Sequence, residues 1–277
     1  MIIKSLWIGN ELPMLNYNCI KSWCKFHPVF LYTYNDIDHV PNGVILKDAN
    51  EILPESDIFY FNETDIAPFS DLFRYKLLLK GGWWLDADFL MTKSLDNINK
   101  EDYVFGSERT LLVGAFKSKQ PYKIINGFLK APENSKLIKK VYELSLEKVK
   151  KGLKKRCDLM VILKKQVEKH GLEKYVKPPN VFCNLDWWYT MEAFTEPNVN
   201  LWKSKYGWKP QNDYFTNTET VGFHLWGSLI GKKKIDTTKY AYDSLYDLLV
   251  RNIHDESNIS FNSKEKKKDK ETITITF

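Results

Sequence analysis

Cysteine is scarce in this chain. Cys19, Cys24, Cys157 and Cys183 are the four in 277 residues, and their separations match neither a zinc site nor a redox dithiol. No disulfide framework is implied, and reduced, mostly buried thiols are expected. Long apolar runs are lacking too. No stretch reaches the ~18 residues of a membrane-crossing helix, and the apolar part of "MIIKSLWIGNELP" is too short for a secretory leader. A cytoplasmic protein is expected. Internal repeats and recognisable nucleic-acid-binding motifs are missing, so nucleic acid is not an expected partner. Charge of one sign is only slightly in excess: 41 Lys+Arg against 35 Asp+Glu give +6. That balance permits contact with phosphates, or peripheral contact with the inner face of a membrane, without requiring either.

What the chain has is material for a core. With 43% hydrophobic and 14% aromatic residues, one main domain over residues 1–260 is expected. "IIKSLWIG" reads as a buried strand. "MLNYNCIKSWCK" follows as a helix with Leu15, Cys19, Ile20 and Trp23 on one side, and "PVFLYTYND" as a second strand. Strand, helix, strand at this spacing opens an α/β sheet. Residues 70–79 form an amphipathic helix with Ser70 or Asp71 as N-cap and Gly81-Gly82 as its end, and the strand "WWLDAD" comes next. Further strands are expected at "DYVFGSE", "LLVGAF" and "KIINGFLKA". A Lys-rich helical region then covers about 134–170, broken near Gly152. In it Leu137, Val141, Leu144 and Val149 face one way, while Lys139, Lys140, Lys150, Lys151, Lys154, Lys155 and Arg156 form a basic surface. A solvated helix face is preferred there over a phosphate- or membrane-binding patch. Residues 261–277, containing "NSKEKKKDKETITITF", read as a disordered basic tail.

The stretch "GGWWLDADFL", residues 81–90, sets Asp86 and Asp88 two positions apart behind an apolar run. On a strand the two side chains project to the same side. Carboxylates that close repel one another unless one is protonated or a cation sits between them. A hard divalent ion, Mn2+ or Mg2+, resolves the conflict, and such ions complete their shell with phosphate oxygens and water. The carboxyl end of a sheet strand is also where ligands of α/β folds bind. A bare D-x-D is short, however, and it equally describes one aspartate capping a turn and another facing water.

The surroundings of the pair are more specific. "FSDLFRYKLLLKGGWWLDADFLMTKSLD" resembles the signature of the DXD-containing glycosyltransferases of family 32 and of the glucosylating domain of the large clostridial toxins. "LWIGNELP" with "NYNCIKSW", "INGFLKAPENS" and "GFHLWGSLI" resemble three further segments of that family, in its order, over residues 1 to about 230. The resemblance implies a GT-A type fold with a central, mostly parallel sheet flanked by helices. It implies a UDP- or GDP-hexose donor, Mn2+ or Mg2+, retention of anomeric configuration, a glycan or glycolipid acceptor, and polysaccharide biosynthesis as the setting. By position it implies that Asp86 and Asp88 hold the metal and the donor ribose, and that Asp71 and Arg74 hold the sugar hydroxyls. Trp7 stacks on the base and the backbone of Ile8 reads its edge. His224 completes the metal shell or positions the diphosphate, and Trp226 and Ser228 each donate to the β-phosphate. No nucleophile or base is implied. The tryptophans 83 and 84 stand where the family often has smaller residues, and residues 150–210 match no segment of it.

Each of these residues has a plainer reading. Trp7 is one of nine tryptophans and can be core. Asp71 can be an N-cap with Arg74 its surface partner, and His224, between Phe223 and Leu225, can be a core histidine. Asp186, Trp187 and Trp188 in "NLDWWYT" can line an acceptor groove by stacking on sugar rings, or be aromatic core. Two other functions use the same features. A phosphatase or phosphotransferase of the haloacid dehalogenase type also carries D-x-D after an apolar strand. A non-catalytic nucleotide-sugar-binding module needs the pocket alone.

Overall fold

The opening strand-helix-strand pattern becomes the parallel half of a six-stranded sheet. The structure is a computed structural model that describes residues 1–110, 122–198 and 217–254. Strands β1 (Ile3–Trp7), β2 (Val29–Thr33), β3 (Val44–Asp48), β4 (Gly82–Leu85), β6 (Val104–Arg109) and β7 (Tyr122–Ala131) lie in the order β3-β2-β1-β4-β7-β6. All pair in parallel from β3 to β4, while β7 runs antiparallel to both its neighbours. A two-stranded antiparallel ribbon, β5 (Phe89–Met91) with β8 (Gly222–His224), stands beside this sheet. The expected α/β architecture with a mostly parallel central sheet is therefore what the chain adopts.

Helices cover both faces. Helix α1 (Met14–Cys24) packs on one with Ile20 and Trp23, against Ile3, Val29, Leu31, Trp83 and Phe128. Helices α2 (Ala67–Leu77), α3 (Lys136–Lys150) and α4 (Asp158–Lys169) pack on the other, where Phe73, Leu137, Val141 and Leu163 meet Trp84 and Leu129. Trp83 and Trp84 are adjacent in β4, so the strand's alternation sends one into each layer, both 1% exposed. Loss of either ring to alanine costs about 3–5 kcal/mol. The short helices α5 (Pro179–Phe182), α6 (Glu192–Thr195) and α7 (Gly227–Lys233) lead to α8 (Leu245–His254), which closes a third cluster around Tyr189, Phe194, Phe223 and Tyr246. Among the described residues no helix is long and apolar enough to cross a membrane.

Several expectations need correction. Helix α2 begins at Ala67, so Ser70 and Asp71 lie inside it and cap nothing. Pro68 is tolerated because it falls in the first turn, and the Asp65 carboxylate accepts the Ala67 N–H at 3.1 Å. The end is as expected: a turn of 3-10 helix runs to Gly81, whose φ of +65° and whose approach to Glu133 leave no room for a Cβ. Strand β4 stops at Leu85, so Asp86 and Asp88 sit in a turn and not on a strand. In α3 the buried positions are Leu137, Ile138, Val141 and Ser145, and Leu144 is only half-buried. All four cysteines are free; Cys19 and Cys183 are buried, Cys24 and Cys157 half-buried. The strand expected at "LLVGAF" and the tail at 261–277 lie outside the described residues.

Candidate active site

At the carboxyl end of β4 the chain leaves the sheet through a tight turn in which the Phe89 N–H donates to the Asp86 carbonyl at 3.1 Å. Three elements hold it. Ser5 of β1 donates to the Leu85 carbonyl at 2.7 Å, Asn16 of α1 to that of Ala87 at 3.1 Å, and Trp23 of α1 to that of Phe89 at 2.6 Å. Asp86 is anchored to β7 by its own N–H on the Gly127 carbonyl at 2.9 Å. A Cβ on Gly127 would come within 2.8 Å of Asp86 Oδ2, so only glycine lets the carboxylate lie against that strand. Asp86 Oδ1 accepts from Trp84 Nε1 at 2.8 Å and lies 2.9 Å from Arg74 Nη1.

Asp88 meets a segment 136 residues downstream. In the ribbon Phe89 pairs with His224, and the Leu225 N–H donates to the Asp88 carbonyl at 2.9 Å. Trp226 then takes a left-handed conformation (φ 56°), uncommon outside glycine, which aims the Gly227 N–H at Asp88 Oδ2 at 2.7 Å. Asp88 Oδ1 lies 3.2 Å from His224 Nε2, an ion-pair distance, yet it is buried and no hydrogen bond of good geometry reaches it. One ligand atom each from Asp86, Asp88 and His224 falls within 4.8 Å of the others. Two carboxylate oxygens and an imidazole nitrogen, one of the oxygens buried and accepting no well-aligned hydrogen bond, are a donor set that could hold a divalent cation.

The charges around the turn are set by burial and pairing together. Burial alone would lower His224, but the Asp88 carboxylate beside it raises it above the ordinary imidazole value. For Asp88 burial works upward, and the His224 ring and the Gly227 N–H outweigh it, leaving the carboxyl below its usual range. Arg74 is 3% exposed and fully engaged. It pairs with Asp71 at 3.1 Å and Asp86 at 2.9 Å, donates to the Asn126 carbonyl at 2.6 Å and to Ser70 Oγ at 3.1 Å, and lies over the Trp84 ring at 4.8 Å. Burial lowers its affinity for the proton, and Asp86 and Asp71 more than restore it. Burial pushes Asp71 up to about 6 despite Arg74.

The other expected residues fall in different places. Trp7 ends β1 half-buried, with Nε1 on the Glu11 carbonyl at 2.9 Å, and Ile8 is half-buried beside it. Asp71 and Arg74 share one buried face of α2, not an exposed one. Ser228 is exposed in the first turn of α7. The indole N–H of Trp226, expected to donate to a phosphate, instead donates to the Leu185 carbonyl at 2.9 Å, and its ring centroid lies 4.0 Å from that of His224. Asp186 is buried and paired with Arg109 at 2.8 Å, while Trp187 and Trp188 meet edge to face at 5.4 Å, half-buried. Asn126, Gly127 and Gly227 build the site without having been singled out, and Ser70, expected as an N-cap, instead accepts from Arg74. The first two stand in "INGFLKA", beside which the motif gave the only available hint.

A family model described as "Capsular polysaccharide synthesis protein" matches residues 9–162, more than half of the chain. No curated protein matches significantly. Among solved structures, "PaToxG Glycosyltransferase" is similar at 16% identity and a TM-score of 0.43, over 62% of this chain and 69% of its own. The apo form of the glycosyltransferase GlyE of Streptococcus pneumoniae TIGR4 is similar at 11% identity and a TM-score of 0.42. That match covers 96% of this chain, which spans 65% of the GlyE chain.

Proposed function

The chain belongs to the capsular polysaccharide synthesis protein family, and from that premise we propose that it is a metal-dependent, retaining glycosyltransferase. It moves a hexose from a UDP- or GDP-sugar to a hydroxyl of a glycan or glycolipid, as a single domain over residues 1–260 of GT-A type. The observation that carries this reading is the meeting of Asp86, Asp88 and His224 at the end of β4, with Asp88 Oδ1 buried and facing His224 Nε2 at 3.2 Å. The resemblance of the surrounding segments to the family 32 glycosyltransferases supports it.

A divalent ion held by these three side chains supplies positive charge against which the charge developing on a departing nucleoside diphosphate is stabilised. The protein does the rest by position. Arg74 fixes the Asp86 carboxylate and Asp71 at once, and Asp71 accepts from hydroxyls of the donor sugar. Trp7, held by Glu11 at the carboxyl end of β1, stacks on the base beside Ile8. Ser228 offers a hydroxyl to the β-phosphate, and the Trp226 ring fixes the plane of His224. Trp187 and Trp188 form the acceptor side, while Asp186, tied to Arg109, orders their segment. A haloacid dehalogenase-type site calls for a lysine beside its acids; here the third side chain is a histidine.

Calorimetry of UDP and GDP binding, with Mn2+ and with EDTA, tests this reading. Binding that needs the metal and is lost in His224→Ala protein that circular dichroism shows to be folded is expected, the melting temperature falling as well because the ring is buried and paired with Asp88. Equal affinity in both conditions would sink the metal-bridged site.

A further inference from the structure

Cys183 lies beyond the residues that the family model matches and outside the acidic turn itself. It is buried, 1% exposed, and free. An isolated antiparallel bridge to Phe223 sets it beside the strand that carries His224. Its Sγ lies 3.8 Å from His224 Nδ1, while Nε2 of the same ring faces Asp88 Oδ1 at 3.2 Å. The ring is thus held between an acid and a thiol, with Phe128 edge-on at 5.2 Å and Trp226 at 4.0 Å. Among the described residues, Cys183 Sγ is the atom within hydrogen-bonding reach of Nδ1.

The two nitrogens of a neutral imidazole differ: one carries the hydrogen and the other offers a lone pair. A ligating Nε2 must be the bare one, so Nδ1 carries the hydrogen and needs an acceptor, as metal-bound histidines ordinarily have. We propose that Cys183 is a positioning residue whose sulfur accepts from His224 Nδ1–H and so presents Nε2 unprotonated to the metal. This rests on the metal site proposed above.

The backbone around the cysteine is fixed to that end. Its N–H donates to the Pro179 carbonyl at 2.7 Å, and its carbonyl accepts from Arg109 Nη1 at 3.2 Å. The Arg109–Asp186 pair therefore anchors the residue that orients the histidine. Sulfur is a weak acceptor, and the thiol works by fixing a tautomer rather than by binding strongly.

Two measurements test this in the full chain. Nitrogen NMR of histidine-labelled protein with Mg2+ and UDP, with His224 assigned by its loss in His224→Gln, should find the Nδ1–H tautomer. Mn2+ affinity in the presence of UDP, read from free Mn2+ by electron paramagnetic resonance, should weaken about tenfold in Cys183→Val, the low end of what such partners contribute. Cys183→Ser, which keeps an acceptor, should recover most of it. An Nε2–H tautomer in the wild type overturns the proposal without any variant. Equal losses in Cys183→Ser and Cys183→Val also overturn it, since volume and not an acceptor would then matter. A wild type that binds Mn2+ in a His224-dependent way, with Cys183→Val unaffected, removes the role of Cys183 alone and leaves the metal site standing. Mn2+ binding indifferent to His224→Ala removes both.

Discussion

In the acidic turn Arg74 is shared between Asp71 at 3.1 Å and Asp86 at 2.9 Å, with its side chain 4% exposed. At the C-terminal end of α3, Lys151 meets Glu147 at 2.5 Å, a shorter contact, with the two side chains 71% and 56% exposed. The residue types are alike and the spacings, i,i+3 and i,i+4, are both those of one helix face. What differs is the medium. Around Lys151 water screens the attraction and solvates either partner when the other is gone. Around Arg74 the guanidinium and the Asp71 carboxylate have given up most of their hydration, and either left alone has little to replace it; Asp86, 27% exposed, keeps some water and the Trp84 N–H. Charge pairs decide structure and chemistry where they are dry, and the distance between them is a poor guide to which those are.

Breaking the buried network gives the largest effect. Arg74→Ala strands the buried Asp71 and takes one partner from Asp86, and is expected to destabilise the fold by about 3–5 kcal/mol in urea denaturation. Arg74→Lys keeps a charge but cannot reach Ser70, Asn126 and both carboxylates together, so it should fall between. A loss in Arg74→Ala no greater than that of a surface substitution would erase the contrast between the two regions.

Asp71→Asn sharpens it on the side of function. The proposed sugar contact predicts turnover down by about two decades with affinity for free UDP or GDP nearly intact, the pattern of an interaction made mainly in the transition state. Steady-state rates with saturating Mn2+ beside calorimetry of the nucleotide decide it, and wild-type turnover would reduce Asp71 to a partner of Arg74.

The same carboxyl predicts a pH dependence. Its value in the fold, about 6, lies above the ordinary aspartate range. Between those two values the unfolded chain has released the proton and the folded chain keeps it. The contribution of Asp71 to stability therefore falls as pH rises through this window. Denaturation midpoints measured from pH 4 to 7 should decline more steeply with rising pH in the wild type than in Asp71→Asn. Parallel curves would mean that the group is ionised throughout.

At the small end, Glu147→Gln and Lys151→Gln should leave the melting temperature unchanged within error, at low and high salt alike. A clear loss in either would mean that the lysine-rich face carries more of the fold than its exposure suggests.

Part of this was written in local sequence. The first strand, α1 and β2, the glycine stop at position 81 and the pairing of Asp71 with Arg74 follow from helix and strand periods and from a position that demands positive φ. The start of α2 was hidden because a proline in a first turn looks like one before it. That Asp86 and Asp88 converge could be read from their spacing, but the cause could not. They meet in a turn held by Asn16 and Trp23 of α1, and Gly127 lets Asp86 lie against β7. Neither the commitment of the Trp226 N–H to Leu185 nor the meeting of Cys183 with His224, each 41 residues apart, leaves a trace in spacing.

By itself, then, the sequence determined which segments become strands and helices of an α/β sheet and which acidic pair stands at a strand's end, because those depend on bonds and periods within a few residues. The tertiary structure alone decided that His224 and Gly227 close on Asp88, that Arg74 is dry, and that a thiol faces the ring. Those depend on the register of the β5–β8 ribbon and on how much water the packed layers leave beside each charge.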